Sequence, residues 1–127
     1  MKGTKPQLVV DNSAISMIPP PPEYFSEYAR AEWRRIMPGI IERGVVVDAD
    51  MGSLENYCMA QGNAREFQAE ASKPHRRGTD TAAKYYRLAN QAMQTARQLA
   101  AELGLTPISR ARTPMKGGNG DDDSLLD

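Results

Sequence analysis

The chain has 127 residues, one domain's worth, and a lean apolar complement with one Trp and two Phe. Sixteen Lys/Arg balance sixteen Asp/Glu, and the single cysteine, Cys58, excludes a disulfide framework or a paired-cysteine zinc site. No apolar run is long enough to span a bilayer and the start lacks a secretory signal, so a soluble, intracellular protein is expected.

The neutral total hides an asymmetry. Residues 1–22 carry two Lys and one Asp, and residues 23–58 carry four Arg against seven acids. Residues 65–116 carry ten Lys/Arg against four acids, and residues 117–127 carry four Asp and no base. A basic second half between an acidic helix and an acidic tail points to a polyanion-binding surface, with a tail able to compete for it.

In chain order, residues 1–25 read as a flexible arm. Lys2 and Lys5 open it, and Pro19 to Pro22 favour a stiff extended spacer. A helical core is expected over residues 26–107. The first helix runs from Ser26, a good N-cap, to about Arg43, with Gly44 as its stop. Ala29, Trp33, Ile36, Met37 and Ile40 make one apolar stripe, and Pro38-Gly39 predicts a kink or break. Val45 to Val47 reads as an extended connector. Asp48 then caps a second helix, with Asp50 in its first turn, reaching about Ala71. Its apolar side holds Met51, Leu54, Cys58, Ala64, Phe67 and Ala71, and Gly62 weakens its middle by roughly 1 kcal/mol relative to Ala.

Ser72 to Asp80 is a polar loop containing His75, Arg76 and Arg77. Thr79 or Asp80 caps a third helix reaching about Leu103. Ala82, Tyr85, Ala89, Ala92, Ala96, Leu99 and Leu103 alternate at spacings of three and four, a heptad seam. Gly104 and Pro107 mark its end. Residues 108–127 hold a basic patch, Arg110, Arg112 and Lys116, and a Gly-rich acidic tail expected to be disordered. The fold class is therefore all-α: a kinked N-terminal helix and a long antiparallel helical hairpin, between a flexible arm and a disordered acidic tail.

Four segments carry a family resemblance through their order. They are KGTKP (Lys2 to Pro6), PPPPEYFSEYARAEWRRIMP (Pro19 to Pro38), VVVDADMGSLENYCMA (Val45 to Ala60) and LAAELGLTPISRAR (Leu99 to Arg112). This order resembles the small terminase subunit family of tailed double-stranded DNA bacteriophages. The resemblance implies a ring-forming homo-oligomer that recognises viral DNA in the host cytoplasm. It also implies a large partner subunit that carries the ATPase motor and nuclease.

No active site is legible. There is no phosphate-cradling Gly-Lys-Ser/Thr loop, and no cofactor or metal is expected. Cys58 reads as a small core residue and His75 as a solvated or phosphate-contacting side chain. Asp48 and Asp50 read as capping and first-turn residues. The positive signal is electrostatic, because duplex contact needs cations that neutralise phosphates. Lys2 and Lys5, Arg76 and Arg77, Lys84 and Arg87, and Arg110, Arg112 and Lys116 are the DNA-binding candidates. The heptad seam from Tyr85 to Leu103 packs against the second helix by default. The sharper reading gives Tyr85, Ala89, Ala92, Ala96, Leu99 and Leu103 to assembly, with Trp33, Ile36 and Ile40. Two other functions compete: a head–tail connector ring protein, and a helix-turn-helix regulator, whose compact motif fits only around Asp48 to Tyr57.

Overall fold

Ser26 opens α1 (Glu27–Arg43) with an extended backbone, and its Oγ accepts from the Ala29 N–H at 3.1 Å. Gly44 closes α1 at φ 68°, a left-handed conformation that suits glycine, and its N–H donates to the Ile41 carbonyl. The computed structural model describes residues 17–44 and 50–106. Within them α1 continues through Pro38-Gly39, so the expected break is absent. Pro38 and Arg34, whose carbonyl loses its helical donor to the proline, are both exposed residues.

The Val45 to Val47 connector and Asp48 lie outside the described residues. Asp50 is the N-cap position of α2 (Met51–Ala71) and makes no side-chain capping bond. A short 3-10 turn, Pro74–Arg76, and Gly78 at φ 75° lead into α3 (Asp80–Glu102). Thr79, rather than Asp80, caps α3, accepting from the Ala82 N–H at 3.1 Å. Leu103, Gly104 and Leu105 end α3 as a Schellman cap: Gly104 donates to Ala101, and Leu105 to Ala100.

Phe67 meets Tyr85 beside the turn, while Leu54 and Leu103 share a recess at the other end. The pair α2–α3 is therefore an antiparallel hairpin, and α1 packs across α2. All described elements are helical. Of the Asp48 to Tyr57 segment, the described residues from Met51 belong to one unbroken helix, Met51–Ala71, with no turn inside it.

The core joins Ala29, Trp33, Met37 and Ile40 of α1 to Leu54, Tyr57 and Cys58 of α2 and to Ala96 and Ala100 of α3. Trp33, Met37, Leu54 and Cys58 are its largest fully buried side chains. Gly62 has a packing role that propensity does not reveal. A Cβ there would lie 2.8 Å from the Ala29 backbone nitrogen, so the α1–α2 crossing depends on its absence.

The arm is tied down over its last residues. The Trp33 indole N–H donates to the Pro19 carbonyl at 2.8 Å. Phe25 is buried and stands edge-on to Trp33, with ring centroids 5.7 Å apart. A free arm over residues 1–25 is thus corrected for its final stretch: a buried aromatic and a satisfied indole N–H hold it on α1. Residues 1–16 and 107–127, which include the expected tail, lie outside the described residues.

Candidate nucleic-acid interface

The α2–α3 turn collects cations. Lys73, Arg76, Arg77, Lys84 and Arg87 lie between residues 73 and 87, with Asp80 the one acid among them. They divide into two kinds. Lys73 and Arg76 converge on Glu70, at 2.9 Å and 3.0 Å. Arg76 is only partly exposed, and its guanidinium carbon stands 4.9 Å from the centroid of the Tyr85 ring. Its Nε is shut from solvent without a hydrogen-bond acceptor. Arg76 therefore staples the turn to α2 and α3 through charge and ring stacking. Lys73 and Arg76 together hold the Glu70 carboxyl below the ordinary carboxylate range.

Arg77, Lys84 and Arg87 are exposed, and among the described residues no acid pairs with them. Lys84 and Arg87, three apart on α3, share a helix face one turn apart. His75 is exposed on the turn. The other sequence candidates, Lys2, Lys5, Arg110, Arg112 and Lys116, lie outside the described residues.

The candidate assembly residues are placed differently. Trp33, Ile40, Ala89 and Ala96 are buried inside the protomer. Ile36, Tyr85, Ala92, Leu99 and Leu103 are half-buried. The packing supports the intramolecular reading of the heptad seam. The large apolar side chains left exposed on α3 are Tyr86 and Met93, seven residues apart on the outward face.

Sequence reasoning missed a buried polar cluster between α1 and α2. Glu32 is 6% exposed. Its carboxylate accepts two bonds from Arg35, at 2.9 Å and 2.6 Å, and one from the Tyr57 hydroxyl at 2.6 Å. Burial alone would push this carboxyl up, but the bonds from Arg35 and Tyr57 outweigh it and leave the group below its ordinary value. Burial, with the Glu32 carboxylate beside it, holds the Tyr57 phenol well above its ordinary value. Burial likewise pushes the Cys58 thiol up to about 12, so it is an inert core group rather than a nucleophile. The available signal was positional: Glu32 follows Ala29 by three and so falls within the stripe's width.

Among the described residues, no three His, Cys, Asp or Glu side chains are grouped to hold a metal, and no helix is long and apolar enough to cross a membrane. Comparison with curated proteins and with solved structures yields no match. Comparison with family models matches residues 29–119 to the phage terminase small subunit. That span takes in α1 from Ala29, the hairpin and Arg110, Arg112 and Lys116, and leaves Lys2 to Pro6 outside. The chain belongs to the phage terminase small-subunit family.

Proposed function

We propose that this chain is the DNA-recognition subunit of a phage packaging machine. It grips duplex phosphates through Arg77, Lys84 and Arg87 at the hairpin turn, and delivers viral DNA to the large ATPase and nuclease subunit in the host cytoplasm. The observation that carries this reading is the pairing pattern at the turn. Glu70 engages Lys73 and Arg76, while Arg77, Lys84 and Arg87 face solvent without an acid partner. An unneutralised cation releases counterions on meeting a phosphate, and one already in an ion pair gains less. Arg110, Arg112 and Lys116, outside the described residues, add further cations later in the sequence. Membership of the small-subunit family supports a packaging role for such a surface.

Three cations on one protomer bind duplex weakly. A ring repeats them around a common axis, and the contacts then act together through effective concentration. In this reading, neighbours meet through the outward face of α3 that carries Tyr86 and Met93. The chemistry is binding and scaffolding.

Fluorescence anisotropy with duplex from the packaging-start region tests the proposal across a salt series. The intact chain is expected to bind with a steep salt slope. Each of Arg77→Ala, Lys84→Ala and Arg87→Ala is expected to lower that slope by about 0.9 for every phosphate left unneutralised, in each protomer that engages the duplex. A chain that stays monomeric by native mass spectrometry and ignores duplex in dilute buffer overturns it.

A further inference from the structure

We infer that the cleft between α1 and the end of α3 is a docking site for the chain's own acidic segment, residues 121–127 (DDDSLLD). The cleft has a volume of about 470 Å³, and Arg35, Ile36, Ile40, Arg43, Tyr57 and Leu105 are among the residues that line it. A second recess of about 160 Å³ adjoins it at Ile40, Arg43 and Leu105, and is floored by Leu54 and Leu103. Cations over an apolar floor match a segment that carries acids and a Leu125-Leu126 pair.

The charges set the orientation. Among the described residues no acid pairs with Arg43. Arg35 keeps 67% of its side chain exposed while bonded to Glu32. Asp50 and Glu102 line the recess. The aspartates 121–123 therefore lie toward Arg35 and Arg43, and the leucine pair enters the recess.

Chain connectivity favours this cleft over the turn. Thr106 is itself on the cleft wall, and residues 107–120 link it to the acidic segment. A Gly-containing linker of that length has a root-mean-square span of roughly 20 Å. The hairpin turn is about 35 Å away along α3, at 1.5 Å per residue. The cleft is within the common reach of the tether and the turn lies well beyond its root-mean-square span, so the local concentration of acidic segment at the cleft is in the millimolar range. The inference does not depend on DNA binding.

Paramagnetic relaxation tests it without DNA. A spin label is attached at Ser124→Cys in the full chain, because buried Cys58 with its raised pKa does not compete for the reagent. The expected result is severalfold loss of amide intensity over Ile36 to Arg43 and Ala100 to Leu105 at low salt. Arg43→Glu should restore these signals, as should the triple change Asp121→Asn, Asp122→Asn and Asp123→Asn, which leaves the cleft's own residues intact. Raising ionic strength toward about 1 M, where the Debye length is about 3 Å, should weaken the effect. Broadening only at Arg77, Lys84 and Arg87, no broadening in the helical core, or broadening only between chains in a mixture of isotope-labelled and spin-labelled copies would each overturn the inference. These failures are distinct from loss of DNA binding.

Discussion

Gly62 and Gly52 lie in the same helix and have opposite meanings. A methyl group at Gly52 meets nothing within 4 Å, whereas one at Gly62 meets the Ala29 backbone at 2.8 Å. Gly52→Ala should therefore raise stability by up to about 1 kcal/mol, the helix-propensity difference. Gly62→Ala gains the same propensity but forces two helices apart, at about 1–3 kcal/mol. Its net effect should be a loss of up to about 2 kcal/mol, visible as a lower urea midpoint; an unchanged or higher midpoint would show that the crossing tolerates a methyl. Glu32 makes a second residue-scale prediction. Its carboxyl sits below its ordinary value of 4.5 when folded, so the unfolded chain binds a proton more readily in acid. The stability it contributes is complete above that ordinary value and fades as pH falls through the lower folded one. Glu32→Gln should cost about 1–3 kcal/mol near neutral pH, through the weakened bonds to Arg35 and Tyr57. The gap between wild type and variant should close as unfolding curves are taken into acid below the ordinary carboxylate value.

At the scale of elements, the hairpin turn separates cations that hold the fold from cations available to a ligand. Arg76→Ala removes the bond to Glu70 and the stack on Tyr85. It should lower the melting temperature by the equivalent of about 1 kcal/mol. Arg77→Ala, at an exposed position without an ion pair, should leave melting unchanged and weaken duplex binding instead. A matched pair of melting curves and salt titrations checks this, and the same response from both variants would remove the distinction. Composition alone groups Arg76 with Arg77, because adjacent basic residues look alike until one of them has a neighbour. The helix bounds were legible because their signals are local: Ser26, Gly44, Thr79 and Gly104 act through backbone atoms within a few residues. The break expected at Pro38 shows where a local signal is overridden. α1 passes through Pro38 as one helix, with both Pro38 and Arg34, four residues before it, exposed.

At the scale of the whole molecule, the outward face of α3 carries the prediction on assembly. Changing Tyr86 and Met93 together to Asp should reduce the native mass while leaving helicity intact, because both are 42% exposed and neither belongs to the core cluster. Duplex affinity should then fall by more than removal of one cation causes, since the collective grip disappears with the assembly. Unchanged mass would place the neighbour interface elsewhere.

The residue order by itself determined that the described part of the chain is helical, where α1 and α3 start and stop, which faces are apolar, and that its cations crowd into the second half. Periodicity and capping are properties of a helix and its immediate flanks, so they can be read without knowing what lies across the core. Only the tertiary structure decided what each face meets. It turned the heptad seam inward against α2 and drew Phe25 and Pro19 onto α1. It buried Glu32 beside Tyr57, placed Gly62 at a helix crossing, and committed Arg76 to Glu70 while leaving Arg77, Lys84 and Arg87 in water. Each of these depends on which groups the fold sets side by side, and a one-dimensional pattern carries the spacing of a face but not the identity of its partner.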